Sequence, residues 1–395
     1  MMWRSVRRSR ESGALWRDPS FRALLVQAVL LIALTAVIFV LVFNTMNNLE
    51  ERGITTGFGF FGERAGFSIP QTLVEYSGNS TYAMTFLVGL LNTLLVSAMG
   101  VVAATLIGFL VGIARLSPNW LLAKAAMVYV EIFRNVPLLL QILFWYFAVL
   151  RALPSPRDSL SLFEAVFLNI RGLILPEPLP QPGFSAVLWA LLLAVVASVL
   201  LVRFARRRQD RTGQRLPAGW LSLALIVGLP LAVYAINGFP LNWEMPSLAG
   251  FNFRGGITIL PELAALWLAL SIYTAAFIAE IVRSGIQSVA HGQIEAARSL
   301  GLSSGVTLRK IVVPQAMRLI IPQLTSQHLN LIKNSSLATA IGYPDLVAVF
   351  AGTALNQTGQ ALEIIAITMA VYLTISLVVS FLMNLYNARV QIKER

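Results

Sequence analysis

The sequence predicts an all-α polytopic membrane protein with about eight transmembrane helices, and three observations carry that expectation. Over half of the residues are hydrophobic (57%) and only 12% are charged, against about a quarter charged in soluble domains. The apolar residues fall in runs long enough to cross a bilayer, which takes about 20 residues. Basic residues gather between alternate runs, the bias that sets helix orientation, with Lys and Arg on the cytosolic side. Lipid offers no water to unpaired backbone groups, so each run must be a helix.

Arg4, Arg7, Arg8, Arg10, Arg17 and Arg22 precede a 21-residue, largely apolar run from Ala23 to Phe43. That run is too long for a signal-peptide core and no A-x-A site follows it, so it reads as an uncleaved first helix. Further runs cover 84–114, 125–150, 186–203, 219–236, 262–284, 315–333 and 361–386. The second and third of the eight are long enough to include an interfacial turn. With the N-terminus in the cytosol, 22 Lys and Arg fall in inner loops and helix ends and 6 in outer loops, Arg134 and Lys333 being ambiguous. Both termini then lie in the cytosol, as does the polar loop 286–310.

The chain divides into 1–82 (cytosolic N-terminus, first helix and outer loop), 83–150, 151–260, 261–387 and a cytosolic tail, 388–395. Two parts look like additions to a smaller core: the first helix with its loop GFGFFGERAGF (57–67), and the 151–260 insertion with its Pro-rich LPEPLPQP stretch and two helices. The basic run Arg203–Arg215 reads as a topology anchor in contact with membrane lipid rather than as a nucleic-acid site.

Several classes are excluded. The chain has no cysteine, and its two histidines, His291 and His328, stand far apart without metal-ligand spacing, so no metal site is expected. None of the lysines 124, 310, 333 and 393 completes a phosphate-cradling G-x-x-x-x-G-K-[ST] loop. G-x-S-x-G and HExxH are absent too, so no catalytic residues are assigned and no cofactor is expected on this chain.

The most informative segment is EAARSLGLSSGVTLRKIVVP, 295–314. It runs Glu295-Ala296-Ala297, three residues, Gly301, nine residues, Ile311, two residues, Pro314. Val289 to Leu300 can form a short helix with Ala290, Ile294 and Ala297 on one side, Ser288 as N-cap and Gly301 as a left-handed stop. So short a helix is marginal alone and gains from lying in a partner's groove. The spacing resembles the signature loop of ABC-importer permeases, with Val313 where that family usually has Leu. The resemblance implies that Gly292, Glu295, Ala296, Ala297, Gly301, Ile311 and Pro314 dock on an ATP-hydrolysing subunit.

Two other segments share the resemblance. In YVEIFRNVPLLLQ (129–141), Asn135 and Val136 stand where the family often has Gly and Thr. Pro137 has no N–H and frees a carbonyl one turn earlier. Glu131 and Arg134, three apart, form either a structural pair or part of a gate. In HLNLIKNSSLATAIGYPDL (328–346), Lys333, Asn334, Ser335 and Ser336 resemble a family segment near the translocation path. Lys333 either offers a cation to a substrate carboxylate or snorkels to the headgroups. The stretch YTAAFIAEIVRSG (273–285) adds a Glu280–Arg283 pair at the cytosolic end of its helix.

The resemblance covers about 83–150 and 262–387 and implies a five-helix permease core of the polar amino-acid type, enlarged as in broad-range L-amino acid permeases. It implies a bacterial inner-membrane subunit that translocates L-amino acids. A second, similar permease subunit, a dimer of ATP-binding subunits holding ATP and magnesium, and a periplasmic amino-acid-binding protein would complete the importer. The alternatives are an ATP-independent channel or secondary transporter, disfavoured by the scarcity of intramembrane acids, and a membrane enzyme, which lacks a nucleophile–base or metal set. Because the chain has no native cysteine, single cysteines at Arg208 and Ser155 test the orientation: they should label from opposite sides of the membrane. Labelling of both from outside would overturn it.

Overall fold

The computed structural model describes residues 19–51 and 56–390. Arg4 to Arg17, Arg52, Lys393 and Arg395, used above to orient the chain, lie outside the described residues. In chain order the helices are α1 (Pro19–Glu51), α2 (Tyr82–Ala114), α3 (Trp120–Asn135), α4 (Leu138–Leu143, continued as a π-turn over Phe144–Leu150), α5 (Phe184–Thr212) and α6 (Ala218–Ile236). They continue with α7 (Pro261–Gln287), α8 (His291–Ser299), α9 (Ser304–Thr307), α10 (Val313–Asn334), α11 (Leu355–Thr358) and α12 (Ala361–Val390). Among the described residues six helices are long and apolar enough to cross a membrane, seven if the bent pair α3–α4 counts as one span. The remaining expected span, 315–333, forms as the continuous helix α10 but is too polar to count with them, because it carries Gln315, Arg318, Gln323, Gln327, His328 and Lys333.

The core is built on α7, whose apolar window is 67% buried. Pro261 opens it, at a position where a missing N–H costs nothing. Small buried residues, Ala265, Ala269, Ala275, Ala276 and Ala279, let α2 approach closely, and α2 answers with Gly108 and Gly112. A Cβ on Gly112 would lie 2.8 Å from the Ala279 carbonyl oxygen and 2.8 Å from Val282 Cβ. This is the small-residue packing that replaces the hydrophobic effect between helices in lipid. α10 and α3 pack on the other sides of α7.

The insertion keeps to itself. α5 and α6 pair with one another through buried Ala190, Ala194 and Ser198, and Ser198 Oγ donates to the Ser222 carbonyl at 3.4 Å. Their expected helices are confirmed, but the flanking segments also contain eight short strands that the all-α reading did not include. β1 (Leu160–Leu162), β2 (Val166–Asn169), β3 (Gly172–Leu175) and β8 (Ile257–Ile259) form one antiparallel sheet in that order. β4 (Glu177–Pro180) pairs with β5 (Leu241–Glu244), and β6 (Ser247–Ala249) with β7 (Asn252–Arg254). β8 leads directly into α7, so the insertion is stitched to the core at that end.

The 56–81 loop is packed into the core rather than appended to it. Phe60 is buried and stacks on Phe350, with ring centroids 6.2 Å apart. The Gly57 N–H donates to Glu363 Oε1 at 2.6 Å, and Asn92 Nδ2 donates to the Gln71 carbonyl at 2.9 Å. By contrast, none of the apolar window of α1 is buried within the chain. A Gly112→Val substitution should destabilise the chain by about 1–3 kcal/mol, the usual cost of overpacking. The measurement is thermal unfolding in detergent, and an unchanged midpoint would show that α2 and α7 are not held in this contact.

Candidate functional site

The polar segment after α7 folds largely as its sequence suggests. α8 spans His291–Ser299, and Gly301 takes a left-handed φ of 72°. The Leu302 N–H donates to the Ala297 carbonyl at 3.1 Å and the Gly301 N–H to the Arg298 carbonyl at 2.9 Å, the paired bonds that close a helix with a left-handed residue. The N-terminus differs from expectation. Ala290 precedes the helix and no side chain caps it, because Ser288 belongs to the end of α7 and its hydroxyl donates to the Gly285 carbonyl at 2.7 Å. Ala297 is the one fully buried residue of α8, facing back towards 304–312; Ile294 is half-buried and Ala290 exposed.

Gly292, Glu295 and Ala296 are exposed. Glu295 Oε1 meets His291 Nδ1 at 3.0 Å, with both side chains largely solvent-accessible. Leu300 is 79% exposed. Ile311 is half-buried, and Pro314 sits exposed at the first turn of α10. At the root of the segment the expected Glu280–Arg283 pair is present, and Arg115 from the end of α2 joins it on the same carboxylate.

The second predicted segment contains a break. α3 and α4 are bent by 105° at Val136–Pro137. Pro137 cannot donate to Phe133, and the Gln141 side chain does so instead: its Nε2 donates to the Phe133 carbonyl at 3.0 Å and to the Val136 carbonyl at 2.9 Å. The Glu131–Arg134 pair does not form. Asn135 Nδ2 donates to Glu131 Oε2 at 3.4 Å, while the Arg134 guanidinium lies 5.2 Å from the Phe277 ring centroid. Arg134 reaches a cavity of about 340 Å³ lined by Glu280, Ser284, Gln323, Ser326 and Gln327.

The third segment turns back on itself. After α10 a 3-10 turn covers Ser335–Ile341, and a π-turn covers Val347–Ala354. Lys333 and Ser336 line a cavity of about 500 Å³ with Thr368, Met369, Tyr372 and Ser376 of α12. Ser335 is buried, and its hydroxyl donates to the Ile332 carbonyl at 2.7 Å. Asn334 is half-buried and does not line this cavity. Within this chain the predicted pathway residues therefore form two separate places, one around Arg134 and one around Lys333.

Sequence reasoning missed the residues that hold this turn. Asn92 Nδ2 donates to the Pro344 carbonyl at 2.9 Å, and Thr93 Oγ1 accepts the Leu346 N–H at 3.0 Å. Tyr343 donates to the Asn92 carbonyl at 3.2 Å, and buried Asp345 accepts the Ala348 N–H at 2.8 Å. The available signal was two adjacent polar residues, Asn92 and Thr93, inside an apolar run. Among the described residues no group of His, Asp or Glu is placed to hold a metal ion.

This arrangement is that of a multi-pass helical membrane protein: a close-packed apolar core, a short exposed helix displayed on a polar loop at one end, and cavities between its helices that a few polar side chains reach. The chain belongs to the family described as binding-protein-dependent transport system inner membrane component, whose model matches residues 104–392. It is 56% identical over 392 residues to a putative amino-acid ABC transporter permease protein, YhdX, of Escherichia coli, covering 99% of this chain and 100% of the relative. It is 52% identical to the general L-amino acid transport system permease protein AapQ of Rhizobium johnstonii, over 96% of this chain and 94% of the relative. The glutamate/glutamine/aspartate/asparagine transport system permease protein BztB of Rhodobacter capsulatus is 41% identical, over 96% of each chain.

The Gln141 amide is the replacement for a hydrogen bond that Pro137 removes. Gln141→Leu should cost on the order of 1–3 kcal/mol for leaving carbonyls without a donor. It should appear as a lowered unfolding midpoint in detergent, and a wild-type midpoint would mean that other groups satisfy the bend.

Proposed function

We propose that this chain is the membrane-spanning subunit of an ATP-driven importer of L-amino acids with broad range, and that α8 and its flanks are where it meets a separate ATPase. The observation that carries the reading is α8 itself: a nine-residue helix, too short to be stable alone, closed by a left-handed glycine and turning Glu295 and Leu300 outwards. The family and the named activities of the full-length relatives support the class and the substrate. ATP and magnesium belong to the ATPase dimer, so this chain is a transport component rather than an enzyme. A second, similar permease subunit and a periplasmic amino-acid-binding protein complete the assembly. The family supports a bacterial inner-membrane placement, and the basic-residue bias supports both termini and α8 lying in the cytosol.

In this reading Glu295 meets a cation of the ATPase, since its contact with His291 is exposed and easily exchanged. The cavities around Arg134 and Lys333 are stretches of the substrate path, with Lys333 facing the substrate carboxylate. ATP binding would draw two such loops together and shift the helices between two packings.

Two sets of variants test this together. Glu295→Lys or Gly301→Val should abolish uptake of every substrate at once and reduce co-purification of the ATPase, or uncouple its hydrolysis. A buried partner charge left unpaired costs on the order of 1–3 kcal/mol, and a β-branched residue resists the left-handed conformation. Lys333→Ala should lower uptake while the ATPase still co-purifies. An α8 variant that changed which amino acid is carried, with coupled hydrolysis intact, would remove α8 from the coupling role. Wild-type uptake by Lys333→Ala would return that lysine to a structural one.

A further inference from the structure

We propose that the cavity where α7 begins is an entry subsite for the zwitterionic head of an α-amino acid, and that the insertion completes it with Arg171. The proposal rests on the importer reading above and extends it to a place that no predicted site residue occupies. The cavity measures about 360 Å³ and is lined by Arg151, Arg171 and Glu262, with Pro70 from the 56–81 loop and Gly342 from the turn after α10. Four parts of the chain that are distant in sequence thus meet at one mouth. It lies at the end of α7 opposite α8, the end that faces outwards if α8 is cytosolic.

The charges there are arranged in an uncommon way. The buried Tyr146 phenol donates to Glu262 Oε1 at 2.7 Å and accepts from Arg151 Nη2 at 2.8 Å. The Arg151 guanidinium also lies 5.2 Å from the Tyr146 ring centroid. Both charges are therefore fixed by one phenol, yet they form no ion pair with each other. Each keeps hydrogen-bonding capacity beyond Tyr146: a second carboxylate oxygen on Glu262 and further N–H groups on Arg151. A carboxylate and a guanidinium held near each other but apart complement a ligand that carries an ammonium and a carboxylate on one carbon.

Arg171 supplies the excess positive charge. It sits in the turn between β2 and β3, where its N–H donates to Asn169 Oδ1 at 2.8 Å. Among the described residues nothing pairs with its guanidinium, and the residue is exposed. A guanidinium can take a carboxylate through two parallel bonds. The cavity is at the small end of ligand sites, which run from about 300 to 1,000 Å³. Its polar contacts suit the amino-acid head and leave the side chain unread, which is what a broad-range importer needs at its mouth. Gly342 ends the 3-10 turn that begins next to Lys333 and Ser336, so the cavity adjoins the chain segment of the proposed path.

The test is equilibrium dialysis of the purified full chain in detergent against labelled L-alanine, propionate and ethylamine. The wild type should bind L-alanine more tightly than either half-molecule. Arg171→Gln, at an exposed turn where folding is easily checked by melting, should weaken L-alanine and propionate by about tenfold, the loss of one charged hydrogen-bonding partner, and leave ethylamine unchanged. Glu262→Gln should weaken L-alanine and ethylamine and spare propionate. Unchanged L-alanine affinity in Arg171→Gln, or no L-alanine binding by the wild type, overturns the subsite. So does an Arg171→Gln chain that binds L-alanine normally but has lost affinity for the periplasmic binding protein, which would make Arg171 a docking contact. The two readings fail separately. ATP-driven uptake with L-alanine binding unaffected by Arg171→Gln removes the subsite and keeps the importer. The expected binding pattern in an assembly that shows no ATP-driven uptake does the reverse.

Discussion

Backbone groups inside a bilayer have no water to turn to, and the irregular parts of this chain are held by polar side chains for that reason. Gln141 is the clearest case. Pro137 takes a donor out of the α3–α4 span, and the Gln141 amide four residues later restores it to Phe133 and adds a bond to Val136. At the 105° bend the Phe133 and Val136 carbonyls thus keep a partner. Asn92 and Thr93 do the same across a longer distance, meeting the Pro344 carbonyl and the Leu346 N–H where the chain folds back after α10. Without these bonds the turn that presents Lys333 and Ser336 to the 500 Å³ cavity would hold buried peptide groups with no partner. Each costs free energy comparable to a lost hydrogen bond. The irregular turn and its polar supports are therefore one feature.

This explains what could be read from the sequence and what could not. The apolar runs gave most helix ends within about five residues, because length and hydropathy are local properties, but α1 and α5 run on to Glu51 and Thr212, well past their apolar runs, since polar residues continue a helix as readily as apolar ones. α8 and its left-handed end were legible for a similar reason: a short amphipathic stretch followed by Gly301 specifies its own stop. The cap was not. Ser288 has the right chemistry, but α7 runs to Gln287 and claims its hydroxyl for the Gly285 carbonyl. The Glu131–Arg134 spacing was right for a pair, yet Asn135 is closer to Glu131, and the Phe277 ring from α7 takes Arg134. No inspection of α3 alone would find that ring. The strands of the insertion were hidden too, because each is three or four residues long and their partners lie across turns or, for β4 with β5 and β3 with β8, on the far side of α5 and α6.

The two ends of α7 carry opposite kinds of order. At the end nearest α8, Arg115 and Arg283 converge on the Glu280 carboxylate, so α2, α7 and the root of the loop share one charge cluster. At the other end, Tyr146 keeps Glu262 and Arg151 apart. An ion pair that is satisfied locks elements together, and a pair held open leaves charge for something that arrives from outside. The first arrangement suits force transmission and the second suits recognition, and one helix joins them.

The close contact between α2 and α7 makes that connection mechanical. Gly112 brings the α2 backbone against the Ala279 carbonyl, and an atom added there would collide. Interiors packed this closely shift between discrete arrangements rather than deforming smoothly. In the proposed coupling role a displacement applied at α8 would enter α7 near Gln287, and Glu280 ties that end of α7 to α2 through Arg115. α10 also approaches α7 closely, since a Cβ on Gly285 would collide with Ile320 Cγ1, but it carries Pro322 within its length and starts from the π-turn at Leu308–Val312. The polar cavity around Arg134 lies between α7 and α10, at the seam where a body made of α2 and α7 would move against its neighbour. A path that opens and closes at such a seam needs no hinge within α7, and α7 has neither an internal proline nor a break between Pro261 and Gln287.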